Sequence, residues 1–441
     1  MFKHKKVLIC GMALSGQSAA LLLSEQGAFV TATDTNSNIR LAFDPVALGV
    51  TCRFGENPET FIDDFELIII SPGISVYAPF VQKAIALGIP VWSEAELAAR
   101  LCPCPIIAIT GTNGKTTVTS IVGEIMKICK PGTQVAGNIG IPLTSLLSKL
   151  TAEDVLVAEI SSFQLETIHE FRPFISAILN ITPDHLDRHG SMEVYIEAKK
   201  RIYENQRQSE FVVLNYDNPV TKLLTPSAKT VFFSQNKELA EGVFIKDEWV
   251  FARLRGNSTA VVPVKDCKTI AENALAATAI SLLADAPPEV IRHVLENFKG
   301  VPHRLEYVAT INGVAFYNDS KATNVAAAIK ALESFDRPVV LIAGGYDKDA
   351  DFAGWVRLFN KKTSDVILIG QTAEQIAKDC DMAGFSSYSF ASTLKEAVGI
   401  AYKKASPSRA VLLSPACASF GSFSGFEERG EKFKEYIYKL K

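Results

Sequence analysis

Gly114, Lys115, Thr116 and Thr117 stand in a row within AITGTNGKTTVT, residues 108–119. A glycine that lets backbone N–H groups converge, a lysine that reaches anionic oxygens and hydroxyls that ligate a hard cation are the parts of a nucleotide-phosphate loop. The apolar run IIAIT ahead of it predicts a strand and VTSIVGEIM behind it a helix, so the loop caps a helix N-terminus that favours anions. One part is missing. Ile109 occupies the position of the distant first glycine found in the common form of such loops.

A hydrated Mg²⁺ held against phosphates takes one or two protein carboxylates, which a neighbouring strand must supply. Glu159 ends the apolar run VLVAEI and suits that role, although a solvated strand-end glutamate would look the same. LNITPDHLDRHGS crowds Asp184, His185, Asp187, Arg188 and His189 into residues 184–189. His185 and His189 at i, i+4 invite a zinc reading, but the HEXXH context and an obvious third ligand are absent; a capping aspartate with bystander histidines is the alternative. Nearer the start, Gly11-Met-Ala-Leu-Ser-Gly16 follows the run KVLIC and opens a helix, with Asp34 ending the next strand. That is a loosened dinucleotide fingerprint, with a nicotinamide cofactor as its obvious ligand; a plain tight turn is the alternative.

The elements that must position these residues are short β-branched runs alternating with helical patterns, which spell α/β architecture with mainly parallel sheets. A chain of 441 residues suggests roughly three domains. Boundaries are expected at 1–93, 94–298 and 299–441. With 45 Lys plus Arg against 48 Asp plus Glu and no basic block, nucleic acid is not an expected partner. No apolar run reaches the roughly 18 residues of a membrane span and no leader cleavage pattern follows the start, so a cytoplasmic protein is expected. The eight cysteines are expected to be reduced and structural; Cys102-Pro-Cys104 is the one close pair and lacks a second pair to complete a zinc site.

TGTNGKTT, Glu159, NITPDHLDRHG, AKKRIYENQ, PHRLE, NDSKATN and GGYDKDADF, in this order, resemble the Mur ligases, the amide-forming enzymes of peptidoglycan synthesis, over nearly the whole chain. LLSPACASFGSFSGFEERG resembles the D-glutamate-adding branch of that family. The family's loop is the shorter TGTNGKT form, which accounts for Ile109. The resemblance implies a Rossmann-like first domain, a central P-loop-type ATPase domain and a Rossmann-like third domain. It implies that ATP phosphorylates the carboxylate of UDP-N-acetylmuramoyl-L-alanine and that D-glutamate displaces phosphate through a tetrahedral intermediate. A monomer whose domains close on the substrates is expected.

Carried over residue by residue, the resemblance assigns Gly111, Thr112, Asn113, Gly114, Lys115, Thr116, Thr117, Asn273, Arg304 and Asp319 to ATP, with Lys321 catalytic beside them. Ser15, Asp34, Thr35, Gly73 and Asn138 fall to the UDP-substrate, and Thr323, Lys348, Ser419 and Phe426 to D-glutamate. Thr116, Glu159, His185 and Lys199 fall to Mg²⁺, of which two ions are implied, with Lys199 as a carbamate formed from CO₂. Carbamylation needs the neutral amine, so a lysine pKa of about 10.4 must fall. Burial, with Lys200 and Arg201 nearby, is expected to lower it. Asn36 departs from the family, some of whose members carry a basic residue there, which bears on the uracil contact. The rivals are a folylpolyglutamate synthase-like ligase, a nicotinamide-dependent oxidoreductase and a non-catalytic nucleotide-binding regulator.

Overall fold

The computed structural model describes residues 1–346, 350–405, 409–419 and 422–440. The chain forms two compact units, residues 1–298 and 299–441. Two sheets lie in the first unit and one in the second. The architecture is α/β throughout, three sheets following one another along the chain.

The first sheet has five parallel strands in the spatial order Thr51–Phe54, Phe29–Asp34, Lys6–Cys10, Leu67–Ile70, Val91–Ser93. Its central strands are apolar runs buried on both faces, as a helix-covered parallel sheet demands. The second sheet has nine strands. Ile106–Thr110 lies in its interior, paired in parallel with Leu156–Glu159 on one side and Ile175–Ile178 on the other. Three of its strands, Gly242–Lys246, Trp249–Leu254 and Asn257–Pro263, form antiparallel hairpins that the sequence reading did not contain. Their turns need left-handed backbone at Asp247 and Glu248 and at Arg255 and Gly256. Only the second pair carries the glycine that signals such a turn.

The helix Glu94–Leu101 joins the first two sheets. Ser93 caps it by accepting from the Glu96 N–H at 3.3 Å. Both acids of its first turn face inward: Glu96 is fully buried and accepts the N–H groups of His169 and Phe171 at 2.9 Å. Glu94 accepts from the Thr144 N–H at 2.6 Å and hydroxyl at 2.8 Å, while Ser18 of the first sheet's leading helix lies 2.7 Å from that hydroxyl. Burial raises the Glu94 carboxyl to about 7.

In the second unit six strands run in the order Glu306–Ile311, Val314–Asn318, Ala410–Leu413, Val339–Ala343, Thr363–Leu368, Tyr388–Phe390. Among the described residues only the first pair of these strands is antiparallel, closed by Asn312-Gly313 with both residues at positive φ. The helix Phe426–Tyr438 packs back on this edge and buries Arg429, Gly430, Phe433 and Ile437.

Candidate active site

Parallel pairing of the three central strands brings Thr110, Glu159 and the residues after Ile178 to one edge of the sheet. There the chain turns through Gly111 and Gly114 into the helix Lys115–Cys129. Gly114 sits at φ 83°, and a Cβ on it would meet the Asn273 Oδ1 at 2.7 Å, so glycine is required on both counts. The loop is braced from behind. Thr112 N–H donates to the Asn180 carbonyl at 2.9 Å and Asn113 N–H to the Asn180 Oδ1 at 2.8 Å. Asn180 Nδ2 in turn donates to Glu272 Oε1 at 2.8 Å, and Asn215 Nδ2 to the same oxygen at 3.4 Å. The Thr112 hydroxyl is bonded to the Thr182 carbonyl at 3.1 Å and meets the Tyr195 hydroxyl at 3.1 Å. Sequence reasoning missed Asn180, Glu272, Asn215 and Tyr195 as loop supports, although Asn180 lies in the quoted NITPDH.

Two ammonium groups converge on one carbonyl. Lys115 Nζ donates to Gly111 O and Thr112 O, both at 2.8 Å, and Lys199 Nζ donates to Gly111 O at 2.9 Å. Lys199 is 2% exposed and lies 4.7 Å above the Tyr195 ring. Its pKa is driven well below the ordinary lysine range, first by burial and then by Lys115, against the opposing pull of Asp184 and Glu159. The expected contribution of Lys200 and Arg201 is corrected here. Successive helical residues point about 100° apart, so Lys200 turns outward to Glu197 at 2.7 Å. Arg201 pairs with Glu204 at 2.9 Å and with the Glu166 carbonyl.

Glu159 is 1% exposed, and its Oε1 accepts from Asn138 Nδ2 at 2.9 Å. His185, at φ 54°, stands at the head of the short helix Leu186–His189 with Nε2 3.7 Å from Asp184 Oδ2. His189 goes the other way, inward to Ser162 Oγ at 3.0 Å, and burial first, then the charges of His185 and Lys199, lowers it to about 4. The pair therefore does not share a metal. Among the described residues no three His, Cys, Asp or Glu side chains gather as a metal cluster. The residues fit a hydrated Mg²⁺ instead. The Thr117 hydroxyl is buried without a hydrogen-bond partner, Thr116 is 2% exposed beside it, and a buried carboxylate and a buried lysine lie at the same sheet edge.

In the first sheet Gly11 at φ 86° and Gly16, whose Cβ would fall 2.0 Å from the Gly11 carbonyl oxygen, make the close βα turn. Asp34 accepts Met12 N–H at 2.7 Å and Asn36 N–H at 2.9 Å, which fixes the turn against the next strand end. Gly11, Asp34, Thr35, Ile74 and Phe80 line a cavity of about 450 Å³ here; Ser15 and Gly73 are not among its lining residues. Arg188 crosses to this region. Its Nη1 donates to Pro72 O at 2.5 Å and its Nη2 to Ile74 O at 2.8 Å, while its guanidinium lies 3.9 Å over Phe163.

In the second unit Asp319, 3% exposed, accepts from Leu305 N–H at 3.1 Å and from Ser414 Oγ at 2.8 Å. Burial lifts its carboxyl to about 7 despite Arg304. Arg304 Nε is buried without a partner, and Lys321 Nζ lies 4.9 Å over the Phe426 ring. Ser419 is buried, Thr323 is half-buried, and Lys348 lies outside the described residues. Unforeseen was Arg429, 1% exposed, whose guanidinium donates to Ser320 Oγ, Ser320 O, Cys417 O and Ala418 O at 2.8–3.2 Å.

Three family models match the chain: the Mur ligase MurD-like N-terminal domain over residues 5–93, the Mur ligase middle domain over 109–281 and the Mur ligase glutamate ligase domain over 303–417. The UDP-N-acetylmuramoylalanine--D-glutamate ligase of Caldanaerobacter subterraneus subsp. tengcongensis is 46% identical over 100% of this chain and 99% of its own length. The enzyme of the same name from Thermoanaerobacter sp. strain X514 is 45% identical with the same coverage. Among solved structures, a UDP-N-acetylmuramate-alanine ligase from Thermotoga maritima shares the fold, with a TM-score of 0.62 at 19% identity over 99% of this chain and 100% of that one.

Proposed function

The chain belongs to the Mur ligase family, and on that premise we propose that it joins D-glutamate to UDP-N-acetylmuramoyl-L-alanine at the expense of ATP. A carboxylate oxygen of the nucleotide-sugar substrate attacks the γ-phosphorus, the bond to the β-phosphate oxygen breaks, and ADP leaves. The D-glutamate amine then attacks the acyl carbon, gives up a proton, and inorganic phosphate departs from the tetrahedral intermediate to leave an amide. Holding the reactants in line and neutralising charge supply most of the rate.

The observation that carries this reading is the convergence of Lys115 and Lys199 on the Gly111 carbonyl where the phosphate loop turns into its helix, with Glu159 and Asp184 close enough to act on the buried Lys199. Lys115 neutralises the β and γ oxygens once drawn from the loop carbonyls. Thr116, Glu159 and His185 would hold Mg²⁺, which when bound screens the transferring phosphoryl group. Asn138 fixes the Glu159 carboxylate. The depressed pKa of Lys199 favours the neutral amine, which would add to CO₂ with formation of an N–C bond and release of one proton, and the carbamate would supply an anionic group for a second Mg²⁺. Asn273, Arg304, Asp319 and Lys321 serve ATP. Thr323, Lys348, Ser419 and Phe426 serve D-glutamate. Ser15, Asp34, Thr35 and Gly73 serve the nucleotide sugar. A monomer in the cytoplasm completes the reading; among the described residues no helix is long and apolar enough to cross a membrane.

The test is phosphate release from ATP with UDP-N-acetylmuramoyl-L-alanine and each glutamate enantiomer. Release with D-glutamate alone is expected. Release with folate and L-glutamate instead would establish the folylpolyglutamate-type rival. Incubation with ¹³C-bicarbonate should add a carbamate carbon resonance that Lys199→Ala lacks.

A further inference from the structure

Cys102 and Cys104 flank Pro103 where the helix Glu94–Leu101 hands the chain to the strand Ile106–Thr110, and their Sγ atoms lie 3.6 Å apart. Cys102 ends the helix with its N–H on the Ala98 carbonyl at 2.8 Å, and its Sγ also lies 3.4 Å from the Cys104 carbonyl. Pro103, the one residue between them, fixes its own φ, and Pro105 restrains the chain just beyond Cys104, so few backbone angles are free where the two sulfurs meet. Their accessibility differs. Cys102 is half-buried, whereas Cys104 is 8% exposed and belongs to the core with Ile106 and Leu156.

We propose that Cys102 and Cys104 form a redox-active dithiol that closes to an intramolecular disulfide by exchange with a low-molecular-weight disulfide. The more accessible partner attacks first. Cys102 thiolate attacks one sulfur of the small disulfide, the S–S bond breaks, one thiolate leaves, and a mixed disulfide remains on Cys102. Cys104 thiolate then attacks the Cys102 Sγ, forming the Cys102–Cys104 bond and expelling the second small thiolate. The two protons lost by the cysteines end on the two released thiols, so the small disulfide is reduced as the pair is oxidised.

The electrostatics order the steps. A hydrogen bond from Cys104 holds the Cys102 thiol below its ordinary pKa, which favours the thiolate at the more accessible position. The Cys104 thiol is raised, first by that same bond and then by burial and by the Cys102 charge. Capping Cys102 abolishes both contributions that come from it, and the resolving thiol becomes easier to ionise when it is needed. Closure requires an approach of about 1.5 Å to reach bonding distance.

The experiment treats the full-length reduced protein with oxidised glutathione, alkylates the remaining thiols and maps the peptides by mass spectrometry, with the exposed Cys52 as the internal control for simple adduct formation. The expected result is a peptide spanning both residues that has lost two hydrogens and carries neither glutathione nor alkyl group. Cys104→Ser should trap a stable glutathione adduct on Cys102, and Cys102→Ser should leave Cys104 unmodified in the native state. Dithiothreitol should restore two alkylatable thiols. A pair that remains alkylatable while Cys52 acquires its adduct, or a wild-type protein that keeps glutathione on Cys102, overturns the proposal; both readings use the unmutated chain and do not depend on the folding of a variant.

Discussion

The phosphate-loop edge of the first unit and the Asp319–Arg429 network of the second both bury charge, yet they satisfy it in opposite ways. Arg429 spends its donors on three carbonyls and a hydroxyl, and Asp319 receives a backbone N–H and a hydroxyl. Burial opposes the charged form in both regions, but at the loop two lysines share the Gly111 carbonyl, and Lys115 adds to the burial that lowers Lys199, whereas Asp319 and Arg429 support each other's charge. Buried charge that is hydrogen-bonded to the main chain maintains a shape; buried charge held beside a like charge is kept in a reactive state. The first costs stability to remove, the second costs activity.

Lys199→Ala gives the sharpest form of this contrast. Turnover should fall about 10³-fold, while the midpoint of denaturant unfolding stays put or rises, because the side chain removed is one whose charged form burial and Lys115 both disfavour. Lys200→Ala, on the outward face, should leave turnover within about twofold, since exposed pairs contribute little. The reverse pattern would shift the catalytic lysine by one residue. Arg429→Met should do the converse and lower stability by about 3 kcal/mol through stranded carbonyls, detected as an earlier unfolding transition of the variant.

Glu94 gives the next test. Its carboxyl stays protonated to about 7 in the folded protein against 4.5 in the unfolded chain, so the folded state holds the extra proton between those values. Stability therefore falls as pH rises through that window, by about 3 kcal/mol, and is flat above it. Glu94→Gln should remove this contribution alone, read as the difference between variant and wild type in paired pH titrations of the unfolding midpoint, since Asp319 and His189 titrate on their own account. Smallest is Asn180→Ala. Removing the acceptor of the Asn113 N–H and the link to Glu272, while the Thr112 N–H keeps its main-chain carbonyl, should cost about 1–2 kcal/mol, read as roughly a tenfold higher ATP concentration for half-maximal rate with little change in Tm.

Strand runs such as LIII, IIAIT and VVLIA were legible because burial on both faces demands unbroken apolar sequence, and the loop was legible because its chemistry is local. The hairpins over 242–263 were not. One of their turns lacks glycine and reaches positive φ through Asp247 and Glu248. The braces Asn180, Glu272 and Asn215 are separated by up to 92 positions in the chain, and only pairing of the strands brings them together. Arg429 was illegible for a related reason: a charged residue in FEERGEKFKEY reads as solvated until the main-chain carbonyls it feeds are folded around it. The reason for the low pKa of Lys199 was half right; burial was foreseen, but the adjacent cation is Lys115, distant in sequence, rather than Lys200 or Arg201.

Arg188 fastens the turn after the strand Leu67–Ile70 to the central sheet through the carbonyls of Pro72 and Ile74, atoms that every amino acid possesses. A rivet seated on the main chain is indifferent to the side chains beneath it. Exchange of the first ninety or so residues for those of a distant relative should thus preserve the joint as long as the turn keeps its path.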